Sequence, residues 1–120
     1  MAIRVLIVDD TKDVRDMLRL LCEMEDDFVV AGEAADGRQA VGLAADLQPD
    51  VVLLDWQMPL LDGMSALPAI RRGAPSACIV MYSAGLAADA EREAMAAGAD
   101  AYLEKTSLDQ MIERIRALVP

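Results

Sequence analysis

Five short apolar runs, evenly spaced along the chain, constrain its fold more than any other feature of the sequence. Their starts lie 25, 23, 26 and 23 residues apart, which leaves room in each interval for one helix and two short loops. The predicted strands are Ile3–Val8, Phe28–Glu33, Val51–Leu54, Ala77–Tyr82 and Asp100–Glu104. Alternating strands and helices predict a parallel sheet with helices on both faces. We therefore expect one doubly wound α/β domain, of (βα)5 type, over residues 1–120.

The intervals between these strands, and the segment after the last one, carry helical periodicity. The predicted helices are Thr11–Glu25, a helix capped by Asp36 that ends before Gln48, Asp62–Arg72, Leu86–Ala97 and Ser107–Val119. Thr11 is the expected N-cap of the first helix. The first helix should bury Val14, Met17, Leu18, Leu21 and Cys22, and the last Leu108, Met111, Ile112, Ile115 and Leu118. Pro68 is expected to kink or weaken the third helix, because proline removes a backbone donor.

The chain is strongly acidic, with 21 acidic and 11 basic residues and a net charge of −10. The charge is −8 over residues 1–60 and −2 over residues 61–120. Because neither half could gain affinity from a phosphate backbone, we expect no direct nucleic-acid binding. No apolar stretch approaches membrane-spanning length, and the N-terminal run is too short for a signal peptide. These features favour a cytoplasmic protein without a membrane contact.

The absence of histidine excludes several kinds of active site. Serine–histidine–aspartate hydrolysis, cysteine–histidine proteolysis and histidine-ligated zinc all require that side chain. Cys22 and Cys78 form no C-x-x-C pair, and each lies in an apolar stretch. They are predicted to be thiols of the core in a reducing compartment, rather than a disulfide.

Unusual polar residues follow four of the predicted strands directly. Asp9 and Asp10 follow the first strand, Asp55 the third, Ser83 the fourth and Lys105 the fifth. The carboxyl ends of parallel strands lie on one edge of a sheet, where open α/β sheets bind their ligands. The topology therefore predicts that three carboxylates, a hydroxyl and an ammonium group converge at this edge.

Such a cluster indicates a site for a divalent cation and a phosphoryl group. Two carboxylates about 4 Å apart repel by about 4 kcal/mol at an effective dielectric constant of 20. Lys105 can offset only part of this repulsion, and Mg²⁺ is the hard cation that suits oxygen ligands with several retained waters. The metal, the ammonium and the hydroxyl could then neutralise and bind phosphoryl oxygens. A central carboxylate could itself be the nucleophile that forms an acyl phosphate.

Four motifs in these positions resemble those of the receiver domain of two-component response regulators, and the resemblance covers essentially the whole chain. They are VDD at Val8–Asp10, DWQMPLLDG at Asp55–Gly63, YSA at Tyr82–Ala84 and YLEK at Tyr102–Lys105. The resemblance implies a flavodoxin-like fold with strand order 2-1-3-4-5.

The resemblance also implies residue roles at the site. Asp55 would be the phosphoacceptor and would bind Mg²⁺ together with Asp10 and the backbone carbonyl of Gln57. Asp9 would act mainly through a metal-bound water, and Lys105 would pair with the phosphoryl group.

Further implied roles concern the conformational switch and the shape of the site. Ser83 would move to hydrogen-bond the phosphoryl group, and Tyr102 would turn inward when it does. Ala84 would leave room for that group, while Met58-Pro59 and Gly63 would shape the loop after Asp55.

The implied partner is a sensor histidine kinase, and the implied activity is that of a switch rather than of an enzyme with a separate substrate. Homodimerisation on phosphorylation is a further hypothesis. Many family members carry a proline after the lysine, in a cis peptide, whereas this chain has Thr106. We expect a trans Lys105–Thr106 bond, because a cis bond before a non-proline residue costs about 3 kcal/mol. The missing proline weakly favours the receivers of nitrate-response or LuxR-type helix-turn-helix regulators.

Two other functions share part of this site or its topology. A Mg²⁺-dependent aspartyl-phosphate phosphohydrolase would share the nucleophile and the cation. Such enzymes resemble one another in a D-x-D motif after a strand, in which the second acid is the general acid. In this chain Asp55 is followed by Trp56-Gln57 instead. A flavin-binding electron carrier would hold phosphate in a first loop rich in hydroxyl groups and glycine. The DDTKD sequence at residues 9–13 would repel phosphate instead.

Overall fold

Five parallel strands form a single sheet in the part of the chain that the computed structural model describes, residues 2–84 and 89–119. The strands are β1 (Ile3–Val8), β2 (Phe28–Ala34), β3 (Val51–Asp55), β4 (Cys78–Ser83) and β5 (Ala101–Glu104). Their order across the sheet is β2-β1-β3-β4-β5 and every neighbouring pair is parallel. The expected flavodoxin-like order is confirmed. It places the ends of β1 and β3 side by side at the centre of the sheet.

Helices cover both faces of the sheet. They are α1 (Lys12–Glu23), α2 (Gly37–Leu47), α3 (Gly63–Gly73), α4 (Ala90–Ala97) and α5 (Met111–Leu118), with a 3-10 helix over Lys105–Gln110. Helices α2, α3 and α4 pack on one face around Leu6, Val52 and Leu54. Helices α1 and α5 pack on the other face around Val5, Ile7 and Leu53. β3 is buried along its whole length, which explains why its sequence is uniformly apolar until Asp55.

The helix predictions need three corrections. First, α1 ends at Glu23, and Thr11 occupies its N-cap position without a side-chain hydrogen bond. Second, Met17 is 40% exposed, because the buried stripe of α1 is narrower than predicted and centres on Leu18 and Cys22. Third, α5 begins only at Met111, and the residues before it form a 3-10 helix that is kinked at Ser107, where the dihedral angles are non-helical. The predicted start of the fourth helix at Leu86 lies outside the described residues.

Two backbone expectations concern proline and its absence. Pro68 stays inside α3 on its exposed side, where water can reach the carbonyl group that proline leaves without a helical donor. No peptide bond within the described ranges is cis, so the expected trans Lys105–Thr106 bond is confirmed. None of the described helices has the length and apolar character that crossing a bilayer requires.

Candidate functional site

The predicted carboxylates and the predicted lysine meet at the carboxyl edge of the sheet. Asp55 is the last residue of β3, Asp9 follows β1, and Lys105 follows β5. The Lys105 Nζ lies 3.1 Å from Asp55 Oδ2 and 3.4 Å from Asp9 Oδ2. One carboxylate oxygen each from Asp9, Asp10 and Asp55 lie within 4.8 Å of one another. The predicted convergence of the three carboxylates and the lysine is therefore present in the fold.

This cluster combines buried carboxylates with an excess of negative charge. Asp9 is fully buried and Asp55 is 1% exposed, while Asp10 is exposed. Burial, followed by the charge of Asp9, raises the pKa of Asp55 to about 7, and Lys105 offsets only part of this effect. Three carboxylates facing one ammonium group fit a hard divalent cation, because such ions prefer several carboxylate oxygens. The acidic cluster thus has the donor chemistry that Mg²⁺ requires.

Asp9 accepts hydrogen bonds that the sequence did not predict. Its Oδ1 accepts from the Thr11 backbone N–H at 2.7 Å, and its Oδ2 accepts from the Tyr82 hydroxyl at 2.8 Å. The Arg15 guanidinium donates to its backbone carbonyl at 2.7 Å. Sequence reasoning gave Tyr82 no role of its own. The available signal was a tyrosine within an otherwise apolar central strand, because a buried phenol needs a partner for its hydroxyl.

The loop between Asp55 and α3 is held tightly against the end of β3. The Gly63 N–H donates to the Trp56 carbonyl at 2.7 Å. A Cβ at Gly63 would lie 1.9 Å from the Asp55 carbonyl oxygen, so only glycine fits this close approach. Asp62 caps α3 by accepting from the Ser65 N–H at 2.7 Å. The predicted role of Gly63 in shaping this loop therefore has a steric reason.

The same loop contains a strained exposed residue. Leu60 has a φ of 67° and is 74% exposed. The Leu61 N–H donates to the Pro59 carbonyl at 2.8 Å, which makes this a γ-turn centred on Leu60, a rare and strained turn at positive φ. Left-handed backbone costs a non-glycine residue about 1–2 kcal/mol.

Leu60→Gly is therefore expected to raise the free energy of unfolding by about 1 kcal/mol, since the relief of strain exceeds the added flexibility of the unfolded chain. Urea unfolding measures this change. Leu60→Ala removes the same exposed side chain, keeps the strain and should leave stability unchanged. Equal stabilisation by both substitutions would contradict the strain argument.

The two residues of the predicted switch lie on neighbouring strands. Ser83 ends β4 and is 3% exposed. Tyr102 in β5 is 8% exposed, and its ring packs edge-on against Trp56 with the centroids 6.4 Å apart. The Tyr102 hydroxyl is buried without a hydrogen-bond partner among the described residues. The Gln57 N–H donates to Asp55 Oδ1 at 3.4 Å. The use of the Gln57 backbone carbonyl as a metal ligand stays a prediction.

Comparison with known proteins places the whole domain in a family. The family model "Response regulator receiver domain" matches residues 5–116. A protein-glutamate methylesterase/protein-glutamine glutaminase from Nocardioides sp. is 36% identical over 98% of this chain and 36% of its own length. The transcriptional regulatory protein LiaR of Bacillus subtilis is 39% identical over 96% of this chain and 55% of its own length. The chain thus spans about a third to a half of the length of these curated relatives.

Among solved structures, the response regulator domain of Thermotoga maritima CheB superposes with a TM-score of 0.89. It is 32% identical, and the match covers 98% of this chain and 96% of that one. The relatives therefore share this domain and differ in what is joined to it. From its fold, its acidic edge and these matches, the chain belongs to the receiver domain family of two-component response regulators.

Proposed function

We propose that Asp55 accepts a phosphoryl group from the phosphohistidine of a sensor histidine kinase. The observation that carries this proposal is the buried Asp55 carboxylate with Lys105 Nζ at 3.1 Å, inside a cluster whose negative charge is only partly balanced. These 120 residues contain no histidine, so the phosphohistidine donor lies outside them. The net charge of −10 suits a kinase surface that presents basic side chains.

The transfer needs one bond to form while another breaks. A carboxylate oxygen of Asp55 forms a bond to phosphorus as the bond from phosphorus to the donor imidazole nitrogen breaks, and that nitrogen keeps the electron pair. Asp9, Asp10, Asp55 and the Gln57 carbonyl would hold Mg²⁺, which when bound supplies positive charge to the phosphoryl oxygens. Lys105 would offset the remaining charge and orient Asp55 for in-line attack.

The phosphorylated site would then change the conformation of the chain. Ser83 would hydrogen-bond the added phosphoryl oxygens, and Tyr102, whose ring is already buried beside Trp56, would be the aromatic member of the switch. Such a group shifts an existing equilibrium, because it interacts more favourably with one of two states. The domain itself would act as a switch in the cytoplasm, where its two thiols stay reduced. Its output would depend on an attached or separate partner, as the methylesterase and the transcription regulator among its relatives differ in theirs.

Phosphorylation would also create a surface for a second copy of the chain. The half of the chain that contains the switch carries a charge of only −2, so two copies repel less there than they would through residues 1–60. Light scattering with and without a phosphoryl mimic tests this proposal. A doubled mass with the mimic supports it, and an unchanged mass contradicts it.

Binding of Mg²⁺ is expected to change the emission of Trp56. This residue is the only tryptophan and directly follows Asp55. A cation held by the carboxylates therefore changes the electric field at its indole ring. A titration with MgCl₂ should saturate in the millimolar range, and Asp10→Ala should suppress the response because it removes a ligand. Asp13→Ala, at an exposed acid in the first turn of α1, is the matched control and should leave the titration unchanged. A response that survives Asp10→Ala would contradict this cation site.

The test of the phosphoacceptor itself is incubation with acetyl phosphate and Mg²⁺. We expect one phosphoryl group per chain, labile to base and hydroxylamine as an acyl phosphate should be. A chain that stays unmodified under these conditions and with kinase donors would contradict the proposed function.

A further inference from the structure

We propose that Tyr82 is a positioning residue of the cation site, whose hydroxyl fixes the orientation of the Asp9 carboxylate. This inference rests on the proposed function, because it assigns a role within the Mg²⁺ site described above. The juxtaposition that carries it is the hydrogen bond from Tyr82 Oη to Asp9 Oδ2, 2.8 Å long and fully buried.

The side chain of Tyr82 reaches Asp9 from a different strand. Tyr82 lies near the end of β4 and is fully buried in the core layer between the sheet and helices α1 and α5. Asp9 follows β1, which is separated from β4 by β3. The ring therefore passes across the end of the central strand, so that its hydroxyl lies beside the acids. A shorter or aliphatic side chain could not bridge this separation with a hydrogen bond.

The hydroxyl has two acceptors within reach but only one hydrogen. The Val8 carbonyl lies 3.2 Å from Tyr82 Oη, and Asp9 Oδ2 lies at 2.8 Å. A carboxylate is the stronger acceptor, because hydrogen bonds to ionised groups are shorter and about twice as strong as neutral ones. Distance and charge both favour donation to Asp9.

This hydrogen bond leaves the Asp9 carboxylate with little freedom to rotate. Oδ1 accepts from the Thr11 N–H, while Oδ2 accepts from Tyr82 and faces Lys105 Nζ at 3.4 Å. The backbone N–H and the tyrosine hydroxyl thus donate to different oxygens of the carboxylate, and together they restrict its rotation. Lys105 Nζ also lies 5.8 Å from the centre of the Tyr82 ring, so the ring provides an electron-rich face for the same ammonium group.

Groups that orient a metal ligand affect metal affinity without touching the metal. Loss of such a partner typically weakens metal binding about 10–100-fold. Tyr82→Phe keeps the ring and its packing and removes only the hydroxyl. We expect it to weaken Mg²⁺ binding about 10-fold, measured by isothermal titration calorimetry on the whole chain.

A double-mutant comparison separates positioning from packing. If the hydroxyl acts through Asp9, then Tyr82→Phe should change the Mg²⁺ affinity of the Asp9→Asn variant less than about 2-fold. A full 10-fold loss in that background would mean that the hydroxyl acts through packing or through the Val8 carbonyl, and would overturn the proposal. Unchanged or tighter binding by Tyr82→Phe alone would also overturn it.

The same data distinguish this proposal from the one on which it rests. A wild-type chain that binds no Mg²⁺ in the calorimeter contradicts the proposed function, and the role of Tyr82 is overturned with it. A wild-type chain that binds Mg²⁺ and accepts a phosphoryl group, with a Tyr82→Phe variant of equal affinity, overturns the positioning role alone.

A second measurement does not depend on the folding of the Tyr82→Phe variant. The chain has two tyrosines, so labelling with 3-fluorotyrosine gives two ¹⁹F resonances, which Tyr102→Phe assigns. Without metal, Asp9→Asn should shift the resonance of residue 82 clearly more than that of residue 102. Equal or absent shifts would overturn the proposed contact.

Discussion

Asp55→Asn is expected to stay unmodified under conditions in which the wild-type chain gains one phosphoryl group from acetyl phosphate and Mg²⁺. The amide oxygen of asparagine is neutral and a poor nucleophile, while the side chain has nearly the same size and shape. Among the described residues, the carboxylates paired with the Lys105 ammonium group are Asp55, at 3.1 Å, and the fully buried Asp9, at 3.4 Å. Intact-mass spectrometry should therefore change from nearly complete labelling to none.

The matched control for this experiment is Asp62→Asn, in the same loop. Asp62 caps α3, and asparagine caps a helix about as well as aspartate, so the loop should keep its structure and Asp55 should still be labelled. A phosphoryl group on Asp55→Asn, or loss of labelling in Asp62→Asn, would contradict the assignment of Asp55 as the acceptor.

Without divalent cations, the free energy of unfolding is expected to fall by about 2 kcal/mol between pH 5 and pH 7. The reason is that the pKa of Asp55 rises from 3.8 to about 7 on folding, through burial and then the charge of Asp9. Between these two values the folded chain keeps a proton that the unfolded chain has released, so rising pH favours unfolding. Asp16 and Asp27 are partly exposed, and hydrogen bonds with Lys12 and Arg116 respectively lower their pKa values, so both titrate below this window.

Urea unfolding in EDTA at several pH values between 5 and 8 measures this slope. Asp55→Asn should abolish it and should be more stable than the wild type at pH 7.5, because the substitution removes a buried charge that repels Asp9. Saturating Mg²⁺ should also raise wild-type stability at pH 7.5, since a ligand that binds only the folded state stabilises it. An identical slope in Asp55→Asn would contradict the assignment of the raised pKa to Asp55.

The sheet and the placement of the site were predictable from the sequence for a simple reason. Buried parallel strands are apolar on both faces, so their runs stand out, and observed bounds such as Val51–Asp55 differ from the predicted ones by a residue or so. Once the strands are parallel, topology alone brings Asp9, Asp55 and Lys105 to one edge. No pairwise contact has to be predicted for that conclusion.

The remaining features depend on distances that no local pattern encodes. Met17 is exposed because the buried stripe of α1 is narrow. The width of that stripe depends on how the helix curves and packs against the sheet. The kink at Ser107 and the positive φ of Leu60 are imposed by how the chain connects packed elements. Tyr82 was missed because its partner is 73 residues away in sequence and becomes a neighbour only in the folded sheet.

The hydroxyl of Tyr102 is buried and has no hydrogen-bond partner in the part of the chain that the structure describes. A buried phenol that lacks a partner loses about 1–3 kcal/mol of hydration, and this offsets much of the 1.5–3 kcal/mol gained by burying an aromatic side chain. Two opposing contributions of similar size leave only a small energy gap between this placement of the ring and one that returns the hydroxyl to water. Both placements of the ring would then be populated before any phosphoryl group is added, and the addition would only have to shift the ratio between them.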